Sequence, residues 1–86
     1  MAYKVEWHTD AIKDILDLDK SMQKKIAAKI KDYLAKEPLT LGKPLQGIFK
    51  GLYRYRYGDY RVIYSIDRSN EHVIILRIGH RKNIYK

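Results

Sequence analysis

One strictly alternating stretch sets the architecture expected for this chain: Gly51-Leu-Tyr-Arg-Tyr-Arg-Tyr-Gly-Asp-Tyr-Arg-Val-Ile-Tyr64. Tyrosines occupy every second position from Tyr53 to Tyr57 with arginines between them, which is the period of two of a β-strand. Gly58-Asp59 is a two-residue loop typical of a tight hairpin. The stretch therefore predicts two antiparallel strands joined by this loop.

Counting outward from the loop gives the register of the hairpin. The predicted cross-strand pairs are Tyr57 with Tyr60, Arg56 with Arg61, Tyr55 with Val62 and Arg54 with Ile63. Three arginines then share one face, and like charges directly across a strand pair repel each other. The cost of this repulsion is easier to understand if the face binds an anion, which relieves it. The alternative is an ordinary solvated face of a half-exposed sheet, where arginine is common.

The residues before the hairpin predict one strand and two helices. Alternation at residues 3–7 indicates the strand, and apolar residues at helical spacing indicate the helices. The apolar stripes consist of Ile12, Ile15 and Leu16 in the first helix, and of Met22, Ile26, Ile30, Tyr33 and Leu34 in the second. Thr9 or Asp10 is expected to cap the first helix, which ends near Leu18, and Asp19 or Ser21 is expected to cap the second, which Pro38 ends. Residues 39–50 are expected to form a connecting loop.

A last strand is predicted at residues 72–78, after a polar turn at residues 67–71. This strand is expected to pair with the second strand of the hairpin. The predicted cross-strand pairs are Ile66 with His72, Tyr64 with Ile74, Ile63 with Ile75, Val62 with Leu76 and Arg61 with Arg77. One face is then apolar and covered by the helices; it comprises Tyr60, Val62, Tyr64, Ile66, Ile74, Leu76 and Ile78. The other face leaves Arg54, Arg56, Arg61 and Arg77 exposed around Ile63 and Ile75.

The fold expected is a two-layer α+β domain spanning residues 1–86, with the order β-α-α-β-β-β and a mainly antiparallel sheet covered on one face by two helices. The 86 residues carry a net charge of +8, so a polyanion is the expected partner. Every arginine follows residue 53, so the phosphate-binding surface is expected on the sheet.

Several function classes are disfavoured by composition. The chain has no cysteine, its histidines lack close ligand spacing and no glycine-rich loop opens a helix, so we expect no metal and no small-molecule cofactor. The sequence has no signal-peptide-like start and no apolar run of membrane-spanning length, which favours a cytoplasmic protein without a membrane partner.

Three blocks resemble the RelE/ParE superfamily of toxins from bacterial and archaeal toxin–antitoxin pairs, and they are closer to its RelE side. The blocks are Pro44-Leu-Gln-Gly47, the hairpin stretch at 51–64 and Arg77-Ile-Gly-His-Arg-Lys-Asn-Ile-Tyr85. The resemblance implies a RelE-like fold and a ribosome-dependent endoribonuclease that cuts mRNA in the ribosomal A site, by attack of the RNA 2′-hydroxyl on the adjacent phosphate. It also implies neutralisation by a cognate antitoxin.

The resemblance assigns roles to named positions. Arg61 and Arg81 match arginines that steady the phosphate and its developing charge, and Tyr85 matches a tyrosine near the C-terminus. Arg54 and Arg56 match two basic strand residues that are usually lysine in RelE. The expected site is therefore catalytic at Arg61, Arg81, His80 and Tyr85, and phosphate-binding at Arg54, Arg56, Arg77 and Lys82.

Arginine at positions 54 and 56 departs from the RelE pattern in a way that affects the chemistry. A guanidinium stays protonated and is a poor general base. His80 is the best local substitute, because imidazole exchanges a proton near neutral pH. The alternative is that His80 is merely a polar residue at a strand end.

Two other functions remain open at this level. ParE-like relatives share the fold and inhibit DNA gyrase without cutting nucleic acid, and an inactive RNA-binding remnant is a third possibility. The arginine row together with His80 and Arg81 favours the nuclease, because a gyrase-binding toxin needs no convergent phosphate site.

Overall fold

Five strands form one mixed sheet in the computed structural model, which describes residues 2–82. The strands are β1 (Lys4–Trp7), β2 (Lys43–Pro44), β3 (Tyr53–Tyr57), β4 (Tyr60–Asp67) and β5 (His72–His80), and their order in the sheet is β1-β5-β4-β3-β2. β1 runs parallel to β5, and the other pairs are antiparallel. The predicted α+β architecture with a mainly antiparallel sheet is confirmed.

Two longer helices and one short helix accompany the sheet. They are α1 (Thr9–Leu16), α2 (Lys20–Lys29), which continues through a π-helical turn at Ile30–Leu34, and α3 (Pro38–Leu41). Asp19 caps α2 as predicted, since its carboxylate accepts a hydrogen bond from Met22 N at 2.7 Å. No helix within residues 2–82 is long and apolar enough to cross a membrane.

The connecting segment is more structured than predicted. Residues 39–50 contribute the end of α3, the edge strand β2 and a 3₁₀ turn at Gly47–Phe49. Pro38 does not end the second helix: it lies in the first turn of α3, where a missing N–H costs nothing. α1 likewise begins one residue early, because the His8 imidazole caps it by accepting from Asp10 N.

The helices cover the face of the sheet that carries Val62 and Tyr64, as predicted. The buried cluster comprises Ala11, Ile26, Ile30, Leu34, Val62, Tyr64, Val73, Ile75 and Ile78. The predicted stripe of α1 is confirmed at Ile15, which packs against this cluster, and is wrong at Ile12 and Leu16, which are exposed; Ala11 is fully buried. Tyr33 is also exposed.

The hairpin register is confirmed at every pair, and the register between β4 and β5 is wrong. Asp67, not Ile66, lies opposite His72, because the turn uses only residues 68–71. Asp67 accepts hydrogen bonds from the Asn70 side chain and backbone, which lower the pKa of Asp67. A slip of one residue exchanges the faces of a strand. Val73 and Ile75 are therefore buried in place of Ile74 and Leu76.

β5 contains one extra residue, which forms a β-bulge. Tyr64 pairs with Ile75 and the adjacent Ile63 pairs with Arg77, so Leu76 has no counterpart on β4. After the bulge Ile78 again faces the core, opposite Val62. Arg61 lies opposite Gly79 rather than Arg77.

Asp14 of α1 holds β5 just beyond this bulge. β1 stops at Trp7, opposite Ile75, so the next part of β5 has no strand outside it. The Asp14 carboxylate accepts from Ile78 N at 2.9 Å and from Arg77 Nε at 2.8 Å. This contact places Asp14 on the inner face of α1, which explains why Ile12 and Leu16 point away from the sheet.

Tyr64 ties β4 to the segment before β2. Its hydroxyl donates to the Pro38 carbonyl at 2.6 Å, and the side chain is fully buried. A side chain at Gly42 would overlap this hydroxyl, so the close approach requires glycine. Burial raises the pKa of Tyr64, which keeps the donor proton in place.

Replacement of Tyr64 by Phe should destabilise the fold, because it leaves the Pro38 carbonyl without its buried donor. The expected loss of unfolding free energy is about 1–3 kcal/mol, measured by urea denaturation. Tyr33→Phe is the matched control, since Tyr33 is exposed, and it should change stability by less than about 0.5 kcal/mol. Equal stabilities for the two variants would contradict the role given to the hydroxyl.

Replacement of Arg77 by Ala should also lower stability, by about 1 kcal/mol, because the Asp14 carboxylate loses its cationic partner and keeps only the hydrogen bond from Ile78 N. The figure is modest because the Arg77 side chain is 47 % exposed, although Asp14 is only 17 % exposed. Arg56→Ala removes the same charge from an exposed position without an ion pair within residues 2–82, and its unfolding midpoint in urea should match the wild type. An unchanged midpoint for Arg77→Ala would show that the ion pair is not structural.

Candidate nucleic-acid interface

The three hairpin arginines lie on the face of the sheet opposite the helices. Arg56 pairs directly with Arg61, and Arg54 pairs with Ile63, while the intervening Val62 and Tyr64 point into the helical layer. Arg56 is exposed and Arg54 is half-buried. Within residues 2–82 neither forms an ion pair with a carboxylate. The predicted clustering of Arg54, Arg56 and Arg61 is therefore observed.

Arg61 differs from the prediction in its exposure. Only 6 % of the residue is accessible, because the guanidinium folds back on the hairpin loop. Its Nη1 donates to the carbonyls of Gly58 and Tyr60, both at 3.2 Å. The expected fully exposed row of three arginines is thus wrong at this position, and Arg61 braces the turn while its charge stays beside Arg56.

Arg81 reaches the same hairpin loop from the end of β5. Its backbone N–H donates to the Asp59 carbonyl at 2.8 Å, and its guanidinium Nε lies 3.9 Å from the Asp59 carboxylate. Both side chains are more than half exposed, so the ion pair contributes little and is easily exchanged for another anion. Arg61 and Arg81, twenty residues apart in sequence, therefore converge on Gly58 and Asp59.

His80 lies on the other side of the sheet. It pairs directly with Tyr60, and the two rings meet edge to face with centroids 5.9 Å apart. His80 and Tyr60 line a cavity of about 310 Å³ together with Asp14 and Asp17 of the helical layer. Its Nδ1 accepts from Lys82 N at 3.3 Å. The structure thus brings His80 to the end of the arginine-bearing strands without placing it among the arginines.

The remaining predicted site residues are distributed as follows. Arg77 is engaged by Asp14, whose hydrogen bond and charge raise the pKa of Arg77, so it does not join the arginine face. Lys82 is exposed directly after Arg81. Tyr85 lies outside the described residues. Lys43 was not predicted as part of the surface, yet it pairs with Arg54 at the sheet edge. β2 has only two residues, one of which is a proline, so no alternation in the sequence indicates this strand.

This arrangement is suited to holding negatively charged groups. Guanidinium groups bind phosphate through paired N–H donors and keep their charge at any physiological pH. Across residues 2–82 no group of three His, Asp or Glu side chains converges in a way that would hold a metal ion. Charge stabilisation by arginine is the chemistry that these side chains offer.

Comparison with known proteins places this geometry in a family. Residues 5–85 match the family model described as the ParE toxin of the type II toxin–antitoxin system parDE. Toxin RelG of Mycobacterium tuberculosis is 36 % identical over 86 residues, which is 100 % of this chain and 99 % of that protein.

Solved structures agree with the sequence matches. The toxin–antitoxin complex RelBE2 of M. tuberculosis contains a chain that superimposes with a TM-score of 0.90 at 34 % identity, covering 94 % of this chain and 100 % of that chain. The archaeal RelE–RelB complex of Pyrococcus horikoshii gives a TM-score of 0.73 at 30 % identity, with coverage of 96 % and 99 %. The resemblance inferred from the hairpin and Gly79-His80-Arg81 blocks is confirmed. On these grounds the chain is a member of the RelE/ParE superfamily of toxins of type II toxin–antitoxin systems.

Proposed function

We propose that this toxin is a ribosome-dependent endoribonuclease that cleaves mRNA in the ribosomal A site and so inhibits translation. The observation that carries the proposal is the convergence of Arg61 and Arg81 on one hairpin loop, beside Arg54 and Arg56, which form no ion pair within residues 2–82. Such a cluster favours a phosphate whose negative charge increases during reaction. The name of the relative RelG and the RelE–RelB complex among the similar structures support the same assignment.

In the proposed reaction the RNA 2′-oxygen forms a bond to the adjacent phosphorus as the bond to the 5′-oxygen breaks. One proton leaves the 2′-hydroxyl and one is delivered to the departing 5′-oxygen. Arg61 and Arg81 stabilise the extra charge on the phosphate, while Arg54, Arg56 and Lys82 hold the RNA backbone. The candidates for proton transfer are His80, which lies at the end of β5 on the helix-covered side of the sheet, and Tyr85.

The preorganisation of Arg61 is the structural argument for its role. Because Gly58 and Tyr60 carbonyls fix its guanidinium before RNA arrives, little conformational entropy is lost on binding. Arg81 is held by its backbone while its side chain stays exposed. Arg61 is therefore held rigidly, whereas the Arg81 side chain can exchange the Asp59 carboxylate for a phosphate.

The second candidate function is a toxin that binds and inhibits DNA gyrase without nuclease activity. The observation that favours it is the family model itself, whose description names ParE toxins. It requires no phosphate site, so loss of the arginine cluster would affect it only where a partner surface contacts those residues.

A cognate antitoxin is the proposed regulatory partner. The relatives of known structure include chains in complexes with RelB, and the net charge of +8 suits an acidic or amphipathic segment that docks on the toxin. Binding across the arginine face would block RNA and toxin activity together.

Replacement of Arg81 by Ala should slow single-turnover cleavage of ribosome-bound mRNA by about 10²–10³-fold, the scale of losing one oxyanion donor, and should weaken ribosome binding far less. Lys24→Ala, on the outer side of α2, is the control of equal charge and should leave the rate unchanged. Equal losses in rate and affinity for Arg81→Ala would make it a positioning contact. Growth inhibition by that variant without mRNA cleavage would favour the gyrase-binding function.

Replacement of His80 by Ala tests proton transfer separately from charge. Cleavage should fall by about 10²-fold, measured as the single-turnover rate over a range of pH. An unchanged rate and pH profile would assign His80 to packing against Tyr60 alone.

Expression of the toxin alone should arrest growth of a sensitive bacterial host, and co-expression of its antitoxin should restore growth. Viable counts after induction measure both effects. The Arg81→Ala variant is the matched control and should be less toxic at equal protein level. Harmless expression of the wild-type chain would contradict the proposal.

A further inference from the structure

We propose that Asp59 is the general base of the cleavage step, and that its carboxylate takes the proton of the RNA 2′-hydroxyl that attacks the adjacent phosphate. This assignment rests on the proposed nuclease function and adds to it the group that accepts the proton. The part of the substrate that Asp59 contacts is the ribose on the 5′ side of the cleaved phosphate.

The arginines of the site cannot accept this proton. A guanidinium stays protonated and has five N–H donors but no acceptor. His80 lines a cavity with Asp14 and Asp17 on the helix-covered side of the sheet, away from the arginine face. Among the described residues, an acceptor on the side of the arginines must therefore be a different side chain.

Asp59 is the carboxylate that the fold places between Arg61 and Arg81. Arg61 Nη1 donates to the carbonyls of Gly58 and Tyr60, both at 3.2 Å. Arg81 N donates to the Asp59 carbonyl between them at 2.8 Å. The backbone of Asp59 is thus held by both arginines, while its side chain is 66 % exposed. A short side chain on a fixed backbone loses little conformational entropy when it meets a ligand.

Arg81 connects the Asp59 carboxylate with the phosphate. Its Nε lies 3.9 Å from that carboxylate, in an ion pair whose partners are both more than half exposed and which is therefore weak. Since a guanidinium presents its donors in a planar fork, a phosphate can bind beside the carboxylate or in its place. In both cases the carboxylate lies next to the ribose that bears the phosphate, within reach of its 2′-hydroxyl.

The proposed step transfers one proton to Asp59. The 2′-oxygen forms its bond to phosphorus, the bond from phosphorus to the 5′-oxygen breaks, and the Asp59 carboxylate becomes a carboxylic acid. A separate acid delivers one proton to the departing 5′-oxygen, and His80 and Tyr85 are the candidates for it. The products are a 2′,3′-cyclic phosphate and a 5′-hydroxyl, after which Asp59 returns its proton to water.

A carboxylate at this position is unfavourable for a surface that only binds RNA. Asp59 and a phosphate carry like charges, so the carboxylate lowers the affinity of Arg81 for the phosphate. Within residues 2–82 Arg54 and Arg56 have no carboxylate partner, so Asp59 opposes binding at a site that is otherwise cationic. Removal of its charge should therefore favour RNA binding and slow cleavage.

The test compares Asp59→Asn with Asp32→Asn, which removes the same charge from an exposed position in the helical layer. Single-turnover cleavage of ribosome-bound mRNA by Asp59→Asn should fall about 10²–10⁴-fold, the range for loss of a general base. Its affinity for the ribosome should be equal to or higher than that of the wild type. Asp32→Asn should retain the wild-type rate. Because Asn suits a two-residue hairpin loop as well as Asp does, the urea midpoint of Asp59→Asn should match the wild type.

A modified substrate separates proton removal from proton delivery. An mRNA with sulfur in place of the departing 5′-oxygen needs no acid, because a thiolate leaves without being protonated. On this mRNA the Asp59→Asn variant should keep its full defect relative to the wild type. Its rate should also rise about tenfold per pH unit, because hydroxide replaces the missing base, whereas the wild-type rate should rise less.

The role of Asp59 would be overturned by an unchanged cleavage rate for Asp59→Asn, by equal losses in rate and affinity, or by recovery of the wild-type rate on the sulfur substrate. A faster rate with tighter binding would make Asp59 an internal competitor for Arg81 and would also overturn it. A wild type that cleaves beside an equally active Asp59→Asn variant refutes only this assignment. A wild type that cleaves no mRNA refutes the nuclease function itself, and the assignment with it.

Discussion

The geometry of this toxin depends on one extra residue in β5 and on the carboxylate that holds the strand beyond it. Leu76 has no partner on β4. The Asp14 carboxylate accepts hydrogen bonds from the two residues that follow, from the side chain of Arg77 and from the backbone N–H of Ile78. The bulge turns Ile78 back into the core and sets His80 opposite Tyr60. It also fixes where the chain leaves the sheet, so that the Arg81 backbone meets Asp59. The end of β5 and the hairpin loop are thereby held together.

The sequence predicts the register of the hairpin correctly and the register between β4 and β5 incorrectly, and the difference has a physical reason. Gly58-Asp59 allows only one tight loop, and Gly58 adopts the left-handed φ of 58° that such a loop requires. The turn before β5 offers five polar residues, and the sequence alone does not say that the chain uses four of them, with Glu71 at a φ of 54°. A shift of one residue exchanges the faces of β5, and both of its faces are rich in apolar residues, so alternation gives no correction.

In the candidate site, too, the features set by local alternation could be predicted, and the contacts between residues distant in sequence could not. Alternation alone places Arg54, Arg56 and Arg61 on one face, which the structure confirms. It does not reveal that Arg61 folds onto the Gly58 and Tyr60 carbonyls, that Arg77 is taken by a carboxylate of α1, or that Lys43 joins the edge. Those contacts depend on residues that are distant in sequence or on backbone geometry. Arg77, which Asp14 holds through a hydrogen bond and its charge, serves the fold, whereas Arg54 and Arg56 have no carboxylate partner within residues 2–82 and are available to an anionic ligand.

We propose that the basic face of this toxin acts on mRNA rather than on gyrase. The most direct measurement adds purified toxin to a translating extract and maps the mRNA ends by primer extension, beside a DNA supercoiling assay with gyrase. We expect new mRNA ends that require translating ribosomes, with supercoiling unaffected at the same toxin concentration. Inhibited supercoiling with intact mRNA would contradict it.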